Sequence, residues 1–276
     1  MELYENIYRE NFSFGKNWQN FLKKLNWNKI DNAKKYLANF IWWEDKIKWK
    51  TVIDFGSWSW LMSLCFYLLW AEKVVSIDID NNSINCTKFL REKYLKNWNG
   101  KWEILTGSVL DEDFVKNLWK FDIVYSWWVI HHTWSMWKWL NNIISLVEEN
   151  WLLYIAIYNE SKIFLEWTSS FWYKMKRFYS SNKFFRPIIK LIYTIYLLLW
   201  ITAKWNNPVK YIKNYEKTAF RWMDFFIDIE DWLGGYPYEY SPFEWIVDFY
   251  RSKWYKLLNW NKVRSIWCNE FLFGKE

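Results

Sequence analysis

The stretch "TVIDFGSWSWLMSL", residues 51–64, decides the fold of this chain. Its first half is an apolar, β-branched run, which is typical of a buried strand. The run ends at Gly56, which indicates a tight turn where the backbone can approach a ligand closely. Trp58 and Trp60 then stand where such a turn has room for almost no side chain. The stretch therefore predicts a strand and a ligand-binding turn, and it leaves two tryptophans to be explained.

The same anomaly runs through the whole chain, which holds 27 Trp and only 7 Gly in 276 residues. Glycine is ordinarily about 7% of a protein, so roughly nineteen are expected here. The glycine deficit and the tryptophan excess are similar in size. In some bacterial lineages the UGA codon encodes glycine, whereas other codes read it as tryptophan. We therefore interpret many of these tryptophans as glycine codons; the alternative is a truly Trp-rich protein.

Local context sorts the tryptophans into groups. Several stand at turns or just after a helical pattern, where glycine commonly ends a helix. The positions interpreted as glycine are Trp49, Trp58, Trp60, Trp70, Trp119, Trp128, Trp134, Trp151, Trp222, Trp254 and Trp267. Those interpreted as genuine are Trp18, Trp102, Trp127, Trp137, Trp172 and Trp232. The other ten stay open.

Charge and cysteine content bound the class of protein. The net charge is +7, which is compatible with nucleic acid or an anionic membrane surface. Because the lysines are scattered, we favour the codon bias of AT-rich DNA as their explanation. The three cysteines form no disulfide framework or zinc pattern, which favours a reducing compartment. Because the first residues, "MELYENIYRENFSFGK", are polar, we expect no secretory signal and a cytoplasmic protein.

Strand and helix patterns alternate through the middle of the chain. Strands are predicted at 51–55, 73–78, 102–106, 121–126 and 151–158, and helices at 60–70, 82–95, 111–118 and 135–148. This alternation predicts an α/β fold with a parallel sheet covered on both faces. The predicted organisation is an N-terminal helical extension (1–48), an α/β core (49–159), a helical lid (160–240), and a C-terminal helix with a β-hairpin (241–276).

One run inside the predicted lid is strongly apolar: "RPIIKLIYTIYLLLWITAK", residues 186–204. Its apolar core of about 16 residues contains Lys190 and falls short of the ~20 needed to span a bilayer. We interpret it as a lid or core helix. The alternative is an interfacial helix that makes weak contact with a membrane surface.

Four motifs resemble those of the class I S-adenosylmethionine-dependent methyltransferases. "VIDFGSWSW" is similar to the family's glycine-rich first loop, "VVSIDID" to its second strand, and "GSVLD" and "FDIVYSWWVIHHT" to its third and fourth motifs. An NAD-binding fold also places an acid about 20 residues after its first loop. The position of Asp54, two residues before the first loop glycine, and the closing hairpin favour the methyltransferase. One bacterial subgroup, distantly like quinol methylases, is resembled more closely by the segments "FSFGKNWQNFL", "YSWWVIHHTWSMW", "IAIYN", "RWMDFFIDIEDWLGGYPYEYSP" and "WCNEFLF".

The resemblance implies a Rossmann-like seven-stranded sheet, mostly parallel with an antiparallel last strand, that binds S-adenosyl-L-methionine. Asp78 would hold the ribose hydroxyls, as acids do in dinucleotide sites. Ser108 and Val109 would frame the adenine, and Ser126 and Trp127 would lie near the sulfonium. The complete set of expected cofactor residues is Asp54, Gly56, Ser57, Trp58, Trp60, Asp78, Ile79, Gly107, Ser108, Val109, Ser126 and Trp127.

Methyl transfer is an in-line displacement, so positioning matters more than covalent catalysis. A base is needed where the acceptor is a hydroxyl or an amine that must lose its proton. The chain's two histidines, His131 and His132, follow the fourth predicted strand, and either suits this role at neutral pH. The alternative is that both cap or pack the following helix. We find no Ser-His-Asp arrangement and no metal-ligand pattern.

The segment "DWLGGYPYEY", residues 231–240, is the candidate wall of an acceptor site. The residues expected to contact the acceptor are Tyr158, Arg221, Tyr236, Tyr238 and Glu239. The alternative is a rigid aromatic loop that packs the lid onto the sheet. The predicted function is methyl transfer to a small molecule, at oxygen. The alternatives are an RNA methyltransferase, or a methyltransferase-like binding or scaffold protein without turnover.

Overall fold

The computed structural model describes residues 22, 25–42, 44–57, 61–95, 101–163, 168–218 and 224–275. They form one seven-stranded sheet in the order β3-β2-β1-β4-β5-β7-β6. The strands are β1 (Thr51–Phe55), β2 (Lys73–Asp78), β3 (Lys101–Thr106), β4 (Phe121–Trp127), β5 (Val147–Tyr158), β6 (Tyr255–Asn261) and β7 (Cys268–Lys275). The first five strands are parallel, and β7 is antiparallel to both β5 and β6. The predicted fold class is confirmed.

Helices connect the strands, and four of those described lie in the insertion that the sequence analysis predicts to be a lid. Those that belong to the sheet layers are α1 (Trp27–Phe40), α2 (Leu61–Leu68), α3 (Asn81–Tyr94), α4 (Glu112–Lys116), α5 (Met136–Asn142) and α10 (Phe243–Arg251). Those between β5 and α10 are α6 (Ser169–Ser181), α7 (Arg186–Ala203), α8 (Pro208–Thr218) and α9 (Phe225–Gly234). Asp80, Asp111 and Asp224 cap α3, α4 and α9 by accepting backbone N–H bonds, as helix N-termini require.

Apolar side chains leave the sheet alternately toward two separate cores, as the two-residue period of a strand dictates. Val52 faces the core shared with α1, α2 and the lid, whereas its neighbour Ile53 faces the core shared with α5 and α10. The sheet is therefore covered on both faces, which explains why its central strands read as continuous apolar runs.

The fifth strand starts earlier than the sequence pattern predicts. A helix over 135–148 and a turn at Trp151 are expected, but α5 ends at Asn142 and β5 begins at Val147. Val147 pairs with Phe121, and the register shifts before Ile123. This irregularity absorbs the extra residues, so the strand passes through position 151 without turning.

The backbone angle φ divides the tryptophans into two groups more clearly than their sequence context does. Among the described residues, every non-glycine residue with positive φ is a tryptophan, with φ between 58° and 68°. These seven, called the turn tryptophans, are Trp42, Trp49, Trp70, Trp128, Trp134, Trp205 and Trp254. Five of them belong to the positions interpreted as glycine; Trp42 and Trp205 were open. Trp119, Trp151 and Trp267 are not among them, and Trp58, Trp60 and Trp222 lie outside the described residues.

Candidate functional site

The first loop begins at Gly56, at the edge of the sheet where the parallel strands β1 to β5 end. Gly56 has φ +68°, and its N–H donates to the Ile77 carbonyl oxygen at 2.8 Å. A Cβ atom added at Gly56 would lie 2.2 Å from Val129 Cγ1. Both the backbone angle and the close approach of Val129 therefore require glycine here. Ser57 follows and is fully buried, whereas Trp58 and Trp60 lie outside the described residues.

A buried chain of hydrogen bonds lies beneath this loop. The Ser63 hydroxyl in α2 donates to Asp54, and the Ser76 hydroxyl in β2 donates to Ser63 at 2.7 Å. The indole of Trp102 in β3 donates to Ser76 at 2.8 Å. These hydrogen bonds link β1, β2 and β3 to α2, the helix that follows the loop. Burial raises the pKa of Asp54 to about 7, and the bond from Ser63 opposes that rise.

Asp78 ends β2 and points its carboxylate at the same edge. One oxygen accepts the Asp80 N–H at 2.8 Å, and the Asp78 carbonyl accepts the Gly107 N–H at 3.1 Å. The second bond joins the tips of β2 and β3. Burial raises the pKa of Asp78 to about 7. Ile79 follows as the first residue of the loop to α3.

The tip of β3 is covered by an aromatic ring that the sequence motifs did not single out. A Cβ atom at Gly107 would lie 2.2 Å from the ring of Phe114, so the ring rests directly on the glycine. The Ser108 hydroxyl oxygen accepts the Leu110 N–H at 3.1 Å. The side chain of Val109 is buried in the core that contains α5. Phe114 therefore places an aromatic ring at the strand tip where the resemblance puts the adenine.

The two predicted cofactor residues in β4 have different surroundings. The Ser126 hydroxyl donates to the Phe55 carbonyl at 3.0 Å, which joins the ends of β4 and β1. The Trp127 indole donates to Glu270 Oε1 in β7 at 2.7 Å. Glu270 also accepts hydrogen bonds from Tyr36 and Tyr154, so Trp127 is part of a buried cluster between α1 and the sheet.

The two histidines follow β4 in a short 3₁₀ turn, Ile130–His132. His131 is completely buried, and its ring centroid lies 3.9 Å from that of Tyr158. His132 is only partly buried, and its Nδ1 lies 2.5 Å from the Pro237 carbonyl oxygen. Because a carbonyl oxygen only accepts, Nδ1 carries the proton, and the lone pair of the neutral ring lies on Nε2. His132 is therefore the better placed of the two to take a proton from an acceptor.

The predicted acceptor residues fall into two groups. Tyr158 and Tyr238 are buried with ring centroids 4.8 Å apart, and Lys176 Nζ lies over the neighbouring Trp232 ring at 3.7 Å. Tyr236 instead packs edge-on against Trp134. Glu239 accepts the Met136 N–H at the start of α5 at 3.3 Å, and burial raises its pKa. Arg221 lies outside the described residues.

A cavity of about 890 Å³ lies between the lid and the final hairpin. Trp128, the residue after β4, forms its inner wall, and Trp267 and Cys268 line it from the hairpin. Tyr215 and Asp228 line it from the lid, and the Tyr215 hydroxyl donates to Asp228 Oδ2 at 2.5 Å. The volume suits a small molecule. No pattern in the sequence indicated these lid residues, because the lid helices meet only in the fold.

Trp128 stands between this cavity and the histidines. Its ring centroid is 5.6 Å from that of Tyr158 and 5.7 Å from that of Trp267. It is also the one turn tryptophan that is buried. Within the described part of the chain, no group of three or more His, Cys, Asp or Glu side chains is arranged to hold a metal ion.

No protein-family model matches this chain, and no curated protein matches it. Among solved structures, it is similar to magnesium protoporphyrin IX methyltransferase from Synechocystis PCC 6803 with bound SAH, at 11% identity and a TM-score of 0.55, covering 95% of this chain and 94% of that chain. It is also similar to an O-methyltransferase family protein from Burkholderia thailandensis, at 11% identity and a TM-score of 0.50, covering 90% and 55% respectively. The fold is that of class I S-adenosylmethionine-dependent methyltransferases.

Proposed function

We propose that the chain binds S-adenosyl-L-methionine at the edge formed by Gly56, Asp78 and Gly107 and transfers its methyl group to a small molecule. The observation that carries this proposal is the meeting of these three strand tips in a sheet of order 3-2-1-4-5-7-6. The neighbours described above are methyltransferases, and one is an S-adenosylhomocysteine complex. We further propose that it belongs to the bacterial subgroup distantly like quinol methylases and acts in the cytoplasm.

The residues at this edge fit that cofactor. Gly56 allows the tight left-handed turn at the end of β1, and the two oxygens of Asp78 suit a pair of ribose hydroxyls. Phe114 on Gly107 offers an apolar surface suited to a purine base. When bound, the cofactor supplies an electrophilic methyl group on its sulfonium. The protein's part is to hold the acceptor in line with that methyl group.

We propose that the acceptor enters the cavity between lid and hairpin and reacts at oxygen. In this proposal His132 accepts the proton of the acceptor hydroxyl at Nε2, because Nδ1 already donates to the Pro237 carbonyl. The Tyr215–Asp228 pair supplies polar partners at the lid side of the cavity. The Trp128 side chain, which lines the cavity and contacts Tyr158, lies between His132 and the Tyr215–Asp228 pair.

We also propose that the turn tryptophans stand at glycine positions. A left-handed backbone angle costs an L-residue roughly 1–2 kcal/mol, whereas glycine adopts it freely. Seven such residues of one bulky type, six of them exposed, are not a pattern that packing would produce. Glycine at position 128 would join the cavity to Tyr158 and the histidines. Codon identity tests this directly: we expect UGA at the turn tryptophans and UGG at Trp102, and UGG at the turn positions would overturn it.

Calorimetric titration with S-adenosyl-L-methionine tests the cofactor assignment. Four proteins are needed: the chain as written, the chain with glycine at the eleven positions interpreted as glycine, and the latter carrying either Asp78→Asn or Asp122→Asn. We expect binding by the glycine-restored chain and at least a tenfold loss with Asp78→Asn. The matched control is Asp122→Asn, because Asp122 lies at the opposite edge of the sheet, bonded to Thr51. A well-folded restored chain that binds no cofactor would overturn the assignment.

Methyl-labelled cofactor and a cell extract test the acceptor class. The proposal is supported if the label enters small molecules and if the variant His132→Gln no longer transfers it. Label in RNA, with binding that falls steeply as salt rises, would instead support the RNA methyltransferase alternative. Cofactor binding without transfer of label to any fraction would support the scaffold alternative.

A further inference from the structure

Helix α7 and the 3₁₀ turn just before it, Lys183–Phe185, present a continuous apolar face to solvent. The side chains of this face, called the α7 face, are 43% to 82% exposed: Phe184, Phe185, Ile188, Leu191, Ile192, Ile195 and Leu199. The spacing of the last five, at three- and four-residue steps, puts them along one side of the helix. Large contiguous apolar patches are rare on soluble monomers and mark interaction surfaces. The α7 face is therefore a surface that needs a partner.

The opposite side of α7 is already occupied by the protein. Ile189, Tyr193 and Leu197 pack against the core, and Ile201 is buried. Near the start of α7, Lys190 Nζ forms an ion pair with Glu230 of α9 at 2.7 Å. By length and composition the segment Lys183–Ala203 is apolar enough to cross a bilayer. Crossing, however, would break these contacts with α9 and the core, whereas lying flat on a surface breaks none.

The charge around α7 indicates the chemistry of the partner. Residues 167–215 contain nine Lys and Arg and no Asp or Glu, so this stretch carries more positive charge than the net +7 of the whole chain. Exposed lysines lie just before α7 at Lys183 and just after it at Lys204. An apolar helix face bracketed by lysines is the arrangement of helices that lie in an anionic membrane interface.

We propose that the lid docks on the surface of an anionic lipid bilayer through the α7 face, with α7 parallel to the membrane plane. The apolar side chains insert at the boundary between headgroups and acyl chains, and the lysines contact lipid phosphates. Positive charge in the lid disfavours a second copy of the same lid as the occupant, since two such surfaces repel.

The docked geometry also bears on the class of acceptor, an inference that rests on the proposed function. Residues 205–207, which directly follow α7, line the cavity between lid and hairpin. Lys210 of α8 lines it as well. A cavity that begins where the docked helix ends would open toward the membrane surface. The substrate class that fits is an amphipathic acceptor with a lipid-soluble body and a hydroxyl group.

Vesicle sedimentation tests the docking without cofactor or acceptor, so its failure is distinguishable from failure of methyl transfer. The full chain is mixed with vesicles of phosphatidylcholine alone, or of phosphatidylcholine with phosphatidylglycerol. We expect the protein to pellet with the anionic vesicles, less so as salt rises. The variant Leu191→Glu/Ile195→Glu should lose at least tenfold in vesicle affinity. The matched control is Phe89→Glu, because Phe89 is also half-exposed but lies on α3, and it should bind like the unaltered chain.

Three results would overturn the proposal. One is failure of the protein to pellet with either kind of vesicle. Another is equal binding by Leu191→Glu/Ile195→Glu and the unaltered chain, with circular dichroism confirming that both are folded. The third is a dimer in sedimentation equilibrium that this double variant dissociates while vesicle binding is absent, because the α7 face would then join two copies of the chain.

Discussion

Two sets of exposed, large apolar side chains look alike by exposure but differ in backbone geometry and in arrangement. Six turn tryptophans, all but Trp128, project singly from loops and are 43% to 98% exposed. Their backbones hold left-handed angles that favour glycine. The α7 face, by contrast, lies on a regular helix, is continuous, and is bracketed by lysines. Exposure alone therefore has no single meaning; backbone angle and continuity decide whether an apolar residue is misplaced or part of an interface.

The first prediction compares a turn tryptophan with a buried one. Trp102→Gly should lower the free energy of unfolding by about 3–5 kcal/mol, because it removes a buried ring and the hydrogen bond to Ser76. Trp254→Gly should leave stability unchanged or raise it slightly, because Trp254 is exposed with φ 66°. Urea unfolding measures both. An equal loss of unfolding free energy in the two variants would show that Trp254 contributes to stability as a core tryptophan does.

The second prediction concerns the six exposed turn tryptophans together. Replacing Trp42, Trp49, Trp70, Trp134, Trp205 and Trp254 by glycine should raise the free energy of unfolding by about 3 kcal/mol. Relief of left-handed strain outweighs the extra chain entropy of glycine by about 0.5 kcal/mol at each site. Thermal and urea unfolding check this. A loss of stability would mean that these side chains make contacts worth more than the strain.

The third prediction tests the charges that bracket α7. Lys183→Gln with Lys204→Gln should weaken binding to anionic vesicles roughly 30-fold, at about 1 kcal/mol for each lysine near the surface. The matched control is Lys116→Gln with Lys253→Gln, two exposed lysines outside the lid. Vesicle titration monitored by sedimentation gives both affinities. Equal effects of the two pairs would show that only total charge matters.

The fourth prediction has the smallest effect and separates binding from folding. Leu191→Glu alone should change the free energy of unfolding by less than about 0.5 kcal/mol, because the side chain is 60% exposed. Urea unfolding with Leu197→Glu as the comparison checks this, since Leu197 packs against the core. A large loss of stability in Leu191→Glu would show that Leu191 contributes to folding and not to an interface.

Much of the architecture was predictable from the sequence because short-range patterns determine it. The β-branched runs that became β1 and β2 matched their predicted bounds, since each is apolar throughout and bounded by breaks in the pattern. The start of β5 was not predictable, because it depends on the pairing of Val147 with Phe121 and on a register shift, which are contacts between distant parts of the chain. The position of Gly56, Asp78 and Gly107 at strand ends could be predicted, because each ends a strand or follows one directly.

By itself, the sequence determined the α/β class, the strand tips that carry Gly56, Asp78 and Gly107, and the excess of tryptophan over glycine. Only the tertiary structure decided that His132 and not His131 retains an accessible ring, since Pro237 and Tyr158 come from distant segments. It also decided which tryptophans have left-handed backbones and which side of α7 faces solvent. The physical reason is the same in each case: spacing along the chain specifies local geometry, whereas burial and close approach depend on which segments fold against one another.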